Sequence, residues 1–243
     1  MFSKLRSLIF KVDPEKAHSL AIKSLKFNLV PNIFDENKND PIFQAKIFDK
    51  DLDNPIGMAA GFDKNAEVYN SLFKLGFGFV EVGTITPLKQ YGNPKPRVFR
   101  LVEDEALINR LGFNNQGAQI VKERIKRNKK LGLLGINVGP NKDSSDRLND
   151  YLIGLKTFYD DADYITINIS SPNTENLRTF HEGDKLQDLL KSIMEERKNL
   201  KSNIPIAVKV SPDISEDQVN QISEILLEHE IKAIIVSNTS EAT

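Results

Sequence analysis

A β/α barrel of the TIM type is the fold this 243-residue chain predicts, on three observations. Strand-like and helix-like segments alternate through most of its length. Several strand-like segments set one polar residue between two β-branched ones near their C-terminal ends. Small hydrogen-bonding residues cluster directly after those ends, as in the run YITINISSPNT at 164–174. Alternation at this spacing implies parallel strands with crossover helices, which suits a doubly wound sheet as well as an eight-stranded barrel. Strand polarity separates the two. In a barrel the outward side chains meet helices and are apolar, while inward ones near the C-terminal ends meet the ligand. Asn137 lies between Ile136 and Val138, Asn168 between Ile167 and Ile169, and Lys209 between Val208 and Val210. Three strands that each turn a polar group inward describe a barrel mouth. Glu81, between Val80 and Val82, repeats the pattern without an evident role.

Residues 1–36 read as an N-terminal extension of two short amphipathic helices. Phe2, Leu5, Leu8 and Ile9 form one apolar stripe; Asp13-Pro14 starts the second helix, with Asp as N-cap and Pro in the first turn. Ala17, Leu20, Ala21, Ser24 and Leu25 then share a face. Six Lys and Arg against two acids make the first 30 residues basic, in a chain whose net charge is −1. Such a segment fits a helical cap packed on the main domain or a monotopic contact with anionic headgroups. Residues 31–41, with Pro31 and Pro41, read as a linker. Residues 37–243 form the barrel region. Strands are expected at 55–60, 79–85, 133–139, 164–170, 204–210 and 233–239, with helices near 65–75, 116–130, 146–160, 184–200 and 215–229.

Composition removes several functions. No apolar run approaches the roughly 18–20 residues of a membrane span, and Lys4, Arg6 and Lys11 break the first apolar clusters, unlike a signal peptide. The chain has no cysteine, which excludes disulfides, thiolate metal sites and a cysteine base. Near-neutral charge gives no footprint for nucleic acid. His18, His181 and His229 are far apart and none directly follows a strand, so neither a metal cluster nor a Ser-His-Asp hydrolase is supported. Amides, hydroxyls and lysines gather at the strand ends instead, a set suited to a planar, carbonyl-rich ligand. Lys209 in an apolar strand needs negative charge beside it. An anionic ligand such as a reduced flavin supplies it; so does an inward carboxylate such as Glu81.

The motifs NISSPNT, AAGFDKN, EVGTITP, RVFRL, INRLGFNNQG, GINVGPNK, PIAVKVSPD and IIVSNTS, in the order and context found here, closely resemble the dihydroorotate dehydrogenase family, and DPEKAH extends the resemblance to the N-terminus. One class of that family is soluble and uses a cysteine base. The other is membrane-associated, passes electrons to quinone, uses a serine base and carries an N-terminal helical extension. The extension and the lack of cysteine make this chain similar to the quinone-dependent class. The resemblance implies FMN as cofactor and oxidation of dihydroorotate to orotate in pyrimidine biosynthesis. It implies Ser171 as the base that removes the C5 proton, in an environment shaped by Thr174 and Phe113. It implies that Lys64, Asn109, Gly112, Phe113, Asn168, Asn173, Asn238 and Thr239 hold the substrate. Ala60, Gly61, Lys64, Thr84, Asn137, Asn168, Lys209 and Ser237 would contact FMN, with Ser237 at a position that is often Thr. His18 and Arg100 match positions at the family's quinone tunnel, against the plainer readings of an exposed helical histidine and a surface ion pair. The loop 171–183 is expected to act as a lid. The implied setting is a monomer, peripheral on the cytoplasmic face of the inner membrane, with no metal and no nucleic-acid partner.

The sequence departs from the family in one respect. Six strands are counted where a (β/α)8 barrel has eight, and Thr243 follows directly on the sixth. The late loops are where such barrels hold phosphate. This exact polypeptide is therefore expected to leave strand edges open, to bind FMN poorly and to turn over little, as a shortened form of a longer enzyme. Two rival readings stand beside it: another FMN-dependent pyrimidine oxidoreductase, and a non-catalytic fragment that keeps the ligand-facing amides.

Overall fold

The structure, a computed structural model, describes residues 9–29 and 41–241. Helix α1 (Pro14–Lys26) starts where Asp13 accepts a hydrogen bond from Lys16 N at 2.9 Å. A short hairpin follows, β1 (Ala45–Ile47) with β2 (Lys50–Leu52). Then come β3 (Gly57–Met58), α2 (Tyr69–Lys74) and β4 (Phe79–Ile85), and a second hairpin of β5 (Val98–Leu101) and β6 (Ala106–Asn109). The chain continues through α3 (Ala118–Arg127), β7 (Leu133–Val138), α4 (Arg147–Phe158), β8 (Tyr164–Asn168), α5 (Gly183–Asn199), β9 (Ile206–Val210), α6 (Glu216–Glu228) and β10 (Ala233–Val236). Local chemistry sets the helix starts. Asp146 accepts from Asn149 N at 3.0 Å to open α4, and Ser215 with Gln218 forms a reciprocal capping box on α6.

Six strands make one parallel sheet in the order β10-β9-β8-β7-β4-β3. Its outward residues Val82, Leu134, Ile136, Ile165, Ile167 and Val208 are fully buried against Tyr151, Leu155 and Phe158 of α4 and Leu186, Leu189 and Ile193 of α5. Each such side chain contributes about 1.5–3 kcal/mol of burial, and both faces of the middle strands are covered, as parallel sheets require. The inward residues converge. Phe79 of β4, Leu133 of β7, Tyr164 of β8, Ala207 of β9 and Ala233 and Ile235 of β10 share one cluster with Leu52 and Phe48 of the first hairpin. Inward residues from β4 through to the edge strand β10 meet there, so the sheet curls as a barrel wall, and the hairpin plugs its N-terminal end. Gly135 is needed inside: a Cβ there would lie 2.1 Å from the Tyr164 ring.

The six expected strands and five expected barrel helices are present, with β3, β7, β8, β9 and β10 shorter than read and β4 as read. Among the described residues β3 and β10 are the sheet's edges, and Val236 on β10 is 76% exposed. Neither hairpin was anticipated. Their strands are only three or four residues long, and the Phe48-Asp49 turn takes positive φ at both positions (50° and 61°) without the Asn-Gly that announces such a turn. The first expected helix, apart from Ile9, and nearly all of the 31–41 linker lie outside the described residues; Pro41 opens a single 3-10 turn through Phe43.

Candidate active site

The polar residues between β-branched neighbours form a ladder up the barrel interior. The Glu81 carboxylate accepts from Thr166 Oγ1 at 2.8 Å and from Asn137 Nδ2 at 2.9 Å. This turns Asn137 Oδ1 toward Thr84 Oγ1 (2.6 Å) and Asn168 Nδ2 (3.1 Å), both of which donate to it. Asn168 Nδ2 also donates to Thr84 Oγ1 at 2.9 Å, and Asn168 Oδ1 accepts from Ser170 N (3.1 Å) and Ser170 Oγ (2.6 Å). Ser170 Oγ in turn accepts from Asn238 Nδ2 at 2.9 Å. Glu81 thus has its role: it orients an amide, and it is no partner of Lys209. Burial and the Glu81 carboxylate together push the Tyr164 phenol far up, so Tyr164 stays neutral beneath the ladder.

Above the ladder lies a cavity of about 220 Å³ at the C-terminal strand ends. Ala60, Gly61, Lys64, Thr84, Asn109, Gly112, Phe113, Asn168, Ser171, Asn173, Lys209, Asn238 and Thr239 all line it. The sequence-level candidates from six separate segments therefore meet in one place. Asn137 and Ser237 do not line it: Asn137 is fully buried in the ladder, and Ser237 Oγ donates to Asn238 O at 3.0 Å. Lys209 is 8% exposed, and its ammonium has no hydrogen bond or ion pair among the described residues. At Gly61, where φ is +108°, an added Cβ would meet no atom within 4 Å, so the backbone forms an open cradle beside the cavity. Ser171 is 4% exposed and its Oγ accepts from Asn173 N at 3.2 Å. Thr174 Oγ1, buried on the same loop, has no hydrogen-bond partner among the described residues. Gln90 and Asn115, which sequence reasoning passed over, fix the segment beneath: Gln90 Nε2 donates to Gly112 O at 3.0 Å and Asn115 Nδ2 to Phe113 O at 2.8 Å.

A second cavity of about 540 Å³ opens between α1 and the barrel, lined by His18, Phe62, Arg100 and Leu107 among others. Gly61, Lys64, Leu111 and Asn114 wall both cavities. His18 stands edge-on to Phe62 with centroids 5.2 Å apart; burial and the Lys64 charge hold its pKa below the usual histidine value. Arg100 Nη1 donates to Val12 O at 2.7 Å and lies over the Phe10 ring, so it fastens the start of α1. Arg97, almost fully buried, makes the stronger tie: its Nε and Nη2 donate to Glu15 at 3.1 and 2.9 Å, and its Nη1 to Tyr91 O and Asn93 O. That hydrogen-bonded guanidinium holds the Glu15 carboxyl below the usual range. Lys64 donates to Gly61 O, and burial lowers its pKa. A larger groove of about 610 Å³ on the outer face of α2 and α3 is lined by Lys26, paired with Glu67, by Arg124, bonded to Asn65 O and Gln116, by Arg127, paired with Glu123, and by Lys74.

A curled parallel sheet with polar side chains converging on a cavity at its C-terminal strand ends defines a TIM-barrel-type α/β protein. The family model for dihydroorotate dehydrogenase matches residues 42–243. The chain is 47% identical over 245 residues to the "Dihydroorotate dehydrogenase (quinone)" of Agrobacterium fabrum, covering 99% of this chain and 67% of that protein. It is 48% identical over 241 residues to the one so named in Bartonella tribocorum, covering 97% and 66%. The crystal structure of DHODH in complex with ferulenol from Eimeria tenella superposes with a TM-score of 0.89 at 36% identity, over 95% of this chain and 68% of that one. The chain belongs to the dihydroorotate dehydrogenase family, and it spans about two thirds of the length of the curated relatives it matches.

Proposed function

We propose that this chain carries the site for oxidation of dihydroorotate to orotate with FMN, the electrons passing to a quinone, in pyrimidine biosynthesis. The observation that carries the reading is the convergence of Lys64, Asn109, Asn168, Ser171, Asn173, Lys209, Asn238 and Thr239 on one cavity. The residues fit a flavin. Lys209 brings an unpaired ammonium to the cavity for an electron-rich ring edge, and Gly61 lets the backbone approach a flat face. FMN, when bound, supplies the two-electron acceptor. Ala60, Gly61, Lys64, Thr84, Lys209 and, at its edge, Ser237 would hold it, with Asn168 lining its face by contact, its amide already bonded within the protein, and Asn137 acting from behind through Thr84 and Asn168.

The protein's part is to grip and to move a proton. Lys64 meets the substrate carboxylate, and Asn109, Asn173 and Asn238 donate to and accept from its ring amides. Gly112, Phe113 and Thr239 complete the enclosure. Ser171 Oγ takes the C5 proton. A serine needs help to do so; in this reading the buried Thr174 hydroxyl on the same loop, which has no partner among the described residues, supplies it. The second cavity, with His18 and Arg100, is the quinone entry in this reading. Residues 1–36 then form the segment that meets the membrane surface. On α1 and just after it, Leu20, Phe27 and Leu29 are exposed near Lys16 and Lys23, and no helix among the described residues is long and apolar enough to cross a membrane.

The test is spectroscopic. With FMN supplied in excess to offset the weak retention expected of this polypeptide, the protein should show a bound-flavin spectrum that bleaches anaerobically on adding dihydroorotate and recovers on adding quinone. Deleting residues 1–36 should abolish recovery by quinone while a soluble dye still restores the colour. A protein that holds flavin yet is not bleached by dihydroorotate would sink the substrate assignment.

A further inference from the structure

We infer that Arg178 is a positioning residue that ties the loop bearing Ser171 to the two neighbouring strand ends of the cavity. The inference deepens the proposed function and rests on its assignment of Ser171 as base. The loop from Ser171 to Glu182 has two unlike halves. Its first half is held weakly: Asn173 reaches Asn109 Oδ1 at 3.4 Å, and Asn173 O accepts from Asn93 Nδ2 at 3.5 Å. Its second half, a 3-10 turn over Leu177–His181, is anchored. Arg178 Nε donates to Ser170 O at 3.2 Å, Nη1 to Asp213 Oδ2 and Glu241 Oε2 at 3.0 Å each, and Nη2 to Thr239 O at 3.4 Å. One planar fork thereby spans the end of β8, the loop after β9 and the loop after β10. Ser170 O belongs to the peptide that leads into Ser171, and Thr239 adjoins Asn238, so the proton-accepting and substrate-gripping loops share a single cation.

The anchor is reinforced on both sides. Asp213 also accepts from Ser240 Oγ and from Glu241 N at 2.8 Å; these bonds and the Arg178 guanidinium hold its carboxyl below the usual range. His181, 2% exposed, accepts from Ser211 N at its Nε2 (3.1 Å), which leaves Nδ1–H to donate to Arg178 O (2.9 Å). A lysine at 178 would keep the charge and lose the fork.

The holoenzyme and its Arg178→Lys and Arg178→Met variants test this by stopped flow, one half-reaction at a time. Flavin reduction by dihydroorotate is expected to slow by about tenfold to a hundredfold in both variants, the scale of a small misplacement at a reacting centre. Flavin content and reoxidation by quinone should stay within about twofold. Amide hydrogen exchange of residues 171–181 should speed up by about tenfold, with β8 and β9 unchanged. Flavin reduction at the parent rate in both variants, or equal losses in both half-reactions together with flavin release, would overturn the inference. If the parent itself is not reduced by dihydroorotate, the functional reading fails separately. The exchange measurement then decides alone, and unaltered exchange at 171–181 refutes the anchor.

Discussion

The two ends of the barrel interior are built on the same strands with opposite chemistry. At the N-terminal end Phe79, Leu133, Tyr164 and Ala207 pack against Leu52 and Phe48 of the hairpin, an apolar plug with Tyr164 as its polar tip. At the C-terminal end Glu81, Thr84, Asn137, Thr166 and Asn168 satisfy one another's hydrogen bonds, and Lys209 stands unpaired at the cavity. The lesson is a division of labour along each strand. Dry packing below supplies stability; above it, a polar network locked by its own bonds supplies a rigid, charged rim that does not collapse. Fully satisfied networks rigidify, whereas half-satisfied ones are costly.

That division can be broken from either end. The largest effect is expected at the rim, where Ser171→Ala should slow flavin reduction by dihydroorotate on the order of 10²–10⁴-fold while leaving the urea midpoint unchanged. The reverse pattern is expected at the plug. Leu133→Ala, at a site 5% exposed, should cost about 2–5 kcal/mol in urea unfolding with flavin reduction per bound flavin unaltered. Between the two, Glu81→Leu strips the partner from Asn137 Nδ2 and Thr166 Oγ1. It should cost about 1–3 kcal/mol and also weaken flavin retention, because Asn137 loses its orientation; loss of stability alone would show that the ladder does not shape the rim. The smallest effect concerns acid. Burial, the largest influence on His181, holds its pKa below the ordinary 6.5 despite its bond to the Arg178 carbonyl. Its contribution to stability is complete above pH 6.5. As pH falls below that value the unfolded chain takes a proton that the folded ring refuses, and the contribution is lost as pH passes through the folded value. Unfolding curves between pH 7 and 5 should therefore be flatter for His181→Gln than for the parent.

The strand ends were legible because each carries its own signature: one polar residue between β-branched neighbours, then small hydroxyls and amides. Asn168 illustrates the limit. Its inward direction was readable, but its amide is spent on Thr84, Asn137 and Ser170 before any ligand arrives. Glu81 could be placed on the inner face but not explained, since its partners Asn137 and Thr166 lie 56 and 85 residues away. Arg178 was invisible for the same reason: nothing local distinguishes it, and its acceptors come from three different strand ends. The hairpins escaped because three- and four-residue strands are too short for a period-two pattern to register. Motif resemblance adds what spacing could not, namely the proposal of which converging side chains grip and which abstracts a proton.

Gly61, Lys64, Leu111 and Asn114 form a partition one residue thick between the two hollows. A ligand in either compartment would touch residues that also line the other. Where a ligand on one side shifts these shared residues, the two occupancies become linked, and linkage is reciprocal: the factor by which a small molecule beside His18 alters affinity beside Ser171 equals the factor returned in the opposite direction. An inhibitor fitted to the outer hollow would therefore register as a change in apparent substrate affinity without ever touching the substrate.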